Sequence, residues 1–480
     1  MARPTLKIEI CFVNDPFTAI GTLTWVDVTA YWRGPDHGGE ALTTRRGRQG
    51  ELGRVEAGSL SLTLDNRDRR FDPTNSSSTY YPNVKPMKRV RVSATWNSVV
   101  YYLFCGYIES WEPLYPGGQD AMVRLRAADL LKPIGRTTVT ITTIAPGELS
   151  GLAIKTALTA IGFPSLTDYT ADGVGLTRIA PGTYANQNGL SYIGMITDTE
   201  NGLFFVKGNG IAYFQDRQWR LRNTTSQATF GGGYSGFTQT TTNGSTTNSA
   251  TTITVVSAAA FPSTGTVLID SEQLTYTGKT STTLTGATRG VNSTSAASHT
   301  SGAAVTVISG DYLYLPYESV IVSYDDQQIY NYVAVTRTGG TEQTASDTTS
   351  NTAYGPRTLS KSGLAMQTDT EALSLAQWLM YNYKDPIVRL PAITLRGDAH
   401  AGVWPQVLGR EISDKITISR TPPGSGGAIA SDVRIEQIAH SITAIDWSTT
   451  FQLSTIAAED WMLLDSSSYG QLDSTHKLAF

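Results

Sequence analysis

Leu60-Ser61-Leu62-Thr63-Leu64-Asp65-Asn66-Arg67-Asp68-Arg69-Arg70-Phe71-Asp72-Pro73 is the stretch on which the reading of this chain turns. Leu60, Leu62 and Leu64 alternate with Ser59, Ser61 and Thr63, the period of a half-buried strand, and the Asp- and Asn-rich run after them has turn chemistry. The same alternation recurs on both sides. Leu6, Ile8, Ile10 and Phe12 share one face; Val90, Val92, Ala94 and Trp96 alternate with Arg89, Arg91, Ser93 and Thr95; Val123, Leu125 and Ala127 face away from Met122, Arg124 and Arg126. Several such strands separated by turns predict an antiparallel barrel or sandwich over residues 1–135. Residues 40–53, with Arg45, Arg46 and Arg48, lack apolar periodicity and read as a polar loop, mobile or ordered by a partner.

The texture changes after Pro146. Ile154, Leu158 and Ile161 form a helical stripe closed by Gly162 and Pro164, and Leu190, Ile193 and Ile196 form a second that stops at Asn201-Gly202. Strand-like runs around Phe204–Val206 and Ile211–Phe214 follow, joined by a hairpin carrying Gly208-Asn209-Gly210. Residues 136–237 therefore read as a small α+β module. Residues 238–309 are almost pure Thr, Ser, Gly, Ala and Val, yet β-branched residues recur at strand spacing, so the expectation is a small inserted β-module, not a flexible linker. Strand texture returns over residues 310–465, interrupted by one helix at 368–384, where Thr368 and Glu371 have capping-box spacing ahead of Ala372, Leu375, Ala376 and Leu379. Residues 466–480 read as a polar tail, frayed or docked on a partner.

Composition excludes several classes. Of 480 residues, 16% are charged and 40% hydrophobic; 37 Lys plus Arg against 41 Asp plus Glu leave −4, which argues against a chain whose task is to hold nucleic acid. With 45 Gly and 20 Pro, the chain is rich in turns and favours many short strands. Cys11 and Cys105 can form neither a disulfide framework nor a four-cysteine metal site and are expected as free thiols. The amino terminus has no apolar run of secretory length, and no window has the apolar length of a membrane span.

A search for catalytic constellations predicts none: no catalytic, cofactor-binding or metal-ligating residues, and no cofactor. Ser191, between Gly189 and Gly194, has the wrong spacing for a nucleophile elbow, and Gly208-Asn209-Gly210 lacks the remaining elements of a phosphate loop. His37, His299, His400, His440 and His476 are scattered singly, and His440, between Ile438 and Ile442, reads as a satisfied structural histidine. Asp325-Asp326 reads as a turn, and Asp270 with Glu272 as a solvated strand end. The basic residues of 40–53 and of 85–91 lack an aromatic stacking platform and read as solvated or salt-bridging.

The order of the first block is more specific than its parts. After Pro73 come Tyr80-Tyr81-Pro82-Asn83-Val84, Pro86, the strand through Arg89 and Val92, and Phe104-Cys105-Gly106-Tyr107-Ile108-Glu109-Ser110-Trp111-Glu112-Pro113. This resembles the first domain of tail-hub (minor tail) proteins of long-tailed, siphovirus-type phages, relatives of contractile-phage baseplate hubs. Tyr330 through Arg337, Thr368 through Tyr383 and Ser441 through Phe451 look like that family's second domain, and Leu284 to Gly290, His299 and Gly302 to Val307 resemble small β-modules of phage tail proteins. The resemblance implies a mainly β chain with some α: two tail-tube-like antiparallel β-barrels, an α+β module between them and a small inserted β-module. It implies a non-enzymatic homotrimer at the virion tail tip, assembled in the host cytoplasm. Its ring of six barrels would adapt a six-fold tail tube to a three-fold tip and form part of the DNA-passage channel. Implied partners are the distal tail protein ring, the tape measure protein and other tail-tip or fibre proteins, with no specific nucleic-acid binding and no transmembrane segment. A receptor- or glycan-binding tail protein is the alternative; a tail-associated cell-wall hydrolase would need a catalytic set that the sequence lacks.

Overall fold

A computed structural model describes residues 3–162, 169–172, 174–231, 239–259, 261–291, 294–309, 315–420, 429–456, 461–462 and 477–478. Of the expected polar tail only Lys477–Leu478 is among these, paired in parallel with Trp461–Met462; the rest of that expectation lies outside the described residues. The same holds for His476 and for Pro164 after the first helical stripe.

The chain is mainly β and is dominated by one sheet of thirteen strands. In chain order these are β1 (Thr5–Cys11), β2 (Val26–Asp27), β3 (Leu42–Gly47), β4 (Glu56–Asp65), β5 (Arg89–Trp96), β6 (Val99–Gly117), β7 (Asp120–Ala128), β8 (Thr229–Gly231), β9 (Ser319–Ser323), β10 (Arg389–Arg396), β11 (Lys415–Arg420), β12 (Ile429–Ile442) and β13 (Trp447–Thr455). The ladder runs as an open path, β2-β1-β5-β6-β7-β4-β3-β12-β13-β10-β9, with β11 on β12 and β8 on β11. All pairings are antiparallel except that of β8 with β11. Thr229–Gly231, assigned by the sequence reading to the α+β module, is therefore a strand of the main sheet.

Isolated bridges link the outer strands of each half. Beyond β2, which pairs with β1, Trp32 bridges Leu64 of β4 and the Arg33 amide donates to the Thr63 carbonyl at 2.9 Å. In the other half, Phe230 of β8 bridges Leu315, whose amide donates to the Thr229 carbonyl at 2.7 Å, and the chain then continues into β9 on β10. If Trp32 is counted with β2 and Leu315 with β9, the strands that precede and follow them in the chain, the neighbour order is β1-β5-β6-β7-β4-β2 in the first half and β8-β11-β12-β13-β10-β9 in the second. Matching β1, β2, β4, β5, β6 and β7 in turn with β8 to β13 makes the two orders the same. The one departure is the reversed direction of β8.

One hydrophobic core serves both halves: Ile8, Val90, Leu62 and Leu125 belong to the same buried cluster as Ile393, Ile416, Ile435 and Phe451. Trp404 lies at its centre, fully buried, with Trp96 at 5.9 Å and Trp447 at 5.4 Å between ring centroids. The alternating faces read from the sequence supply this core, because a period of two sends every second side chain inward.

Smaller cores sit beside it. Helices α1 (Ser150–Ala160) and α2 (Gly189–Glu200) pack Ile154, Leu158, Ile193 and Ile196 against Phe204, Val206 and Phe214. Strands Leu203–Val206 and Ala212–Gln215 form the expected hairpin, closed by the Gly210 amide on the Lys207 carbonyl. Residues 239–309 hold two small sheets around Ile253, Phe261, Val267, Leu274, Tyr276 and Val305, a packed β-module as the recurrence of β-branched residues predicts. Finally, α3 (Asp369–Tyr383) packs Ala372, Leu375, Ala376 and Leu379 against Val333 and Val335. Its amino terminus carries the predicted capping box: the Glu371 amide donates to Thr368 Oγ1 at 3.2 Å, and the Thr368 amide to Glu371 Oε2 at 3.0 Å. Thr368→Ala is expected to cost about 1 kcal/mol in chemical denaturation; an unchanged midpoint would mean that the α3 end is held by packing alone.

Candidate functional site: the seam between the two halves

β3 is where the halves meet. Thr43, Thr44 and Arg45 pair with Ser61, Leu60 and Ser59 of β4, while residues Leu42 to Gly47 pair with Ile442 to Gln437 of β12. The expected loop at 40–53 is thus in good part a buried strand. Its polarity is that of a loop, but Arg46 and Arg48 are neutralised inside the protein. Arg46, 4% exposed, donates to the Leu103 carbonyl at 3.0 Å, to the Val206 carbonyl at 3.1 Å and to Glu411 Oε1 at 2.6 Å, so one guanidinium ties three parts of the chain together. Arg45 reaches Glu56 at the exposed edge.

Gly47 is required where β3 leaves β12. Its φ is +115°, and a Cβ there would meet the Glu436 carbonyl oxygen at 2.1 Å. Opposite it, the β12–β13 register slips between Ile435 and Gln437, a bulge that re-aims Glu436. Glu436 is fully buried and accepts from Arg48 Nε at 2.6 Å, Arg220 Nη1 at 2.7 Å and Ser454 Oγ at 2.6 Å. Burial alone would raise its pKa, but Arg220 and Arg48 hold it far below the ordinary carboxylate range. Beside this group, Glu51 accepts from Arg389 at 2.8 Å, and burial outweighs that arginine to raise the carboxyl.

The seam opens into a cavity of about 160 Å³. Arg48, Glu51, Asp198, Arg220, Lys361 and Trp378 are among its lining residues, so the 48–53 turn, the end of α2, the strand Thr358–Leu364 and α3 all contribute to it.

Of the other side chains weighed for chemistry in the sequence, only Ser191 comes near the seam cavity, in the lining of an adjoining one. Ser191 sits in the first turn of α2, its amide donating to the Asn188 side chain at the cap. His37 is exposed beside Asp36, and His400 Nδ1 accepts the Gly402 amide at 3.1 Å. Asp325 accepts the Gln327 amide at 3.0 Å in the expected turn. Cys11 and Cys105 are both buried and free. Of residues 85–91, Lys88 and Arg89 are buried: Lys88 Nζ donates to the Asn14 carbonyl, and Arg89 to Tyr107 Oη at 2.8 Å. Arg91 pairs with Glu9 and stacks over Trp25, so its aromatic partner is internal. His440 lies at the seam, buried and bonded to Thr449 Oγ1 at 2.8 Å, the structural role read for it.

Asp270 and Glu272 require a correction. Glu272 is 1% exposed, not solvated: it accepts from Arg289 Nε at 2.8 Å, from the Gly290 and Ala297 amides, and contacts His299 Nε2 at 2.8 Å. Asp270, at the exposed end, meets His299 Nδ1 at 2.8 Å. Asp270, Glu272 and His299 thus form one clasp inside the inserted module, completed by Arg289, which the sequence did not single out. Against the pull of burial, Arg289 leads the hydrogen bonds that lower the Glu272 pKa to about 2. Among the described residues no group of His, Cys, Asp and Glu is arranged to hold a metal ion, and no helix is long and apolar enough to cross a membrane.

The whole architecture has a solved counterpart. The crystal structure of the tail protein from Neisseria meningitidis MC58 matches at a TM-score of 0.50 and 9% identity, over 95% of this chain and 96% of that one. The two chains share one fold. At lower scores come the 43 kDa tail protein of prophage MuSo2 from Shewanella oneidensis (TM-score 0.46, 9% identity, 95% and 98% covered) and prophage tail protein gp18 from Listeria monocytogenes EGD-e (0.42, 10%, 93% and 94%). No family model and no curated protein matches the sequence. The likeness is therefore one of architecture, and it agrees with the resemblance drawn from the first block.

Proposed function

We propose that this chain is a structural hub of a phage tail tip, without catalysis of its own, in which three copies form a ring. The observation that carries this reading is the repeated neighbour order of β1, β2, β4 to β7 and of β8 to β13. Two look-alike β-modules per chain would give a trimer six similar units, which can mate with a six-fold tube on one side and a three-fold tip on the other. Under this reading the modules are residues 1–135 and 310–465, with β8 joining the second. The α+β module fills the connection between β7 and β8, and the Thr- and Ser-rich module sits in the connection from β8 to β9. The distal tail ring, the tape measure protein and the tip or fibre proteins are the proposed neighbours, and DNA passes through the ring without specific contacts. Buried salt bridges at the seam suit this role, because the two modules must keep a fixed relative orientation for the ring to close.

The glycan-binding alternative finds little support in the inserted module: its aromatic residues Phe261 and Tyr276 are 2% and 1% exposed and cannot stack on a sugar. The hub reading is tested by light scattering and electron microscopy of the assembled particle. Three chains in a ring with six similar lobes are expected, with and without residues 240–308. A particle of one or two chains, or loss of the ring on that deletion, would sink the corresponding part of the proposal.

A further inference from the structure

The seam cavity has a charge left over. Its wall carboxylates are already matched by arginines: Asp198 with Arg54 at 2.9 Å, Asp216 with Arg222 at 3.0 Å, and Glu51 with Arg389 at 2.8 Å. Arg48 and Arg220 share the single carboxylate of Glu436. The Lys361 side chain also lines the cavity and makes no hydrogen bond or ion pair among the described residues; the carboxylate that attracts it, Asp198, is already bonded to Arg54. In a chain of net charge −4, this corner therefore holds uncompensated positive charge in a recess partly closed to water. Desolvation makes such charge costly unless an anion arrives. Burial, with Arg48 and Arg54 close by, lowers the Lys361 pKa, against the pull of Asp198.

The rest of the recess selects the kind of anion. Trp378, Leu52 and Leu203 line the same cavity, and a second cavity, sharing Arg48, Gly53, Thr197 and Asp198, continues it along Val55, Leu190 and Ile193. A cationic end followed by an apolar trough fits a carboxylate on an aliphatic stem with apolar residues beside it. A small hydrated anion would leave the trough empty.

We propose that this recess is a docking site for an acidic–apolar segment of another protein, with Lys361 receiving its carboxylate. The site stands independently of the hub reading, since it would act in a single chain. The full-length protein is titrated by calorimetry at low salt with the peptide acetyl-Leu-Glu-Leu-Glu-Leu-amide, with its glutamine counterpart, and with inorganic phosphate. Saturable binding of the glutamate peptide is expected. It should weaken about tenfold or more in Lys361→Met, as for loss of a charge-assisted hydrogen bond, and by less in Lys361→Arg. The Lys361→Met protein should melt no lower than the parent, because the ammonium it removes is unpaired. Equal affinity for the glutamine peptide, binding unchanged in Lys361→Met, or no peptide binding at all would overturn the proposal. So would phosphate displacing the peptide at equal concentration, which would mark a free-anion site.

Discussion

Glutamine in place of Glu436 is expected to destabilise the chain by about 3–5 kcal/mol, because it leaves two arginines facing one another without their carboxylate. Glu436 is fully buried, and Arg48, Arg220 and Ser454 all donate to it. The amide keeps the size of the side chain but loses its charge, and its NH2 group presents a donor where donors already converge. The loss should appear in urea unfolding as a lower midpoint with an unchanged slope. It should also fall on both halves of the sheet together, since Glu436 sits where β12 leaves β11 and meets β3. Exchange of the β4 and β10 amides would then accelerate in parallel. Replacing Arg48, Glu436 and Arg220 together by methionine should cost less than Glu436→Gln alone, because the triple change removes the uncompensated charge along with its partner. A single change that costs under about 1 kcal/mol would mean that water reaches the group and that the seam is held by the ladder and not by the ions.

The contrast between this seam and α3 explains what could be read from the sequence. Thr368 and Glu371 lie three positions apart and act on each other, so the capping box is legible to anyone who reads the chain in order. The alternating leucines of β4 are legible for the same reason: the sheet face that they fill repeats every second residue. The role of Arg48 depends on a carboxylate 388 positions away and on a one-residue slip in a ladder, neither of which leaves a local trace. A strand with Thr43, Thr44, Arg45 and Arg46 looks like a loop until the partners that neutralise it are known. The inserted module repeats the lesson in small. Its β-branched residues announced a packed core, yet the Glu272, Arg289 and His299 clasp was invisible because Arg289 and His299 lie 17 and 27 positions from Glu272. The repeat of neighbour order was hidden too, since β8 and β9 are separated by the whole insertion and the two halves share strand order and not sequence.

His440 makes the seam sensitive to acid, and here the expected effect is about 3 kcal/mol lost between pH 6.5 and pH 4. The imidazole is buried on β12 across from Thr44, and Nδ1 accepts from Thr449 Oγ1 at 2.8 Å and, more weakly, from the Trp447 indole at 3.5 Å. Both donors stabilise the neutral ring. Burial, reinforced by the nearby Arg46 guanidinium, pushes its pKa from the ordinary 6.5 down to about 3. The sign follows from proton binding. Above pH 6.5 the ring is neutral in both states and its contribution is complete. Below that, the unfolded chain takes up a proton that the folded chain refuses until near pH 3, so stability falls as pH falls. Asp129 works in the opposite sense: accepting the Gly58 and Leu131 amides in full burial, it is pushed up to about 7, so its contribution grows as pH falls from 7 toward the ordinary 3.8. The two would partly cancel in a single stability curve, and a comparison separates them. His440→Gln keeps an acceptor for Thr449 and cannot titrate, while Asp129 behaves alike in both proteins. The stability difference between parent and variant should therefore favour the parent at pH 7.5 and shrink by about 3 kcal/mol by pH 4. A gap that stays constant across that range would mean that the folded imidazole accepts its proton near the ordinary pH, and that the seam opens to water around His440.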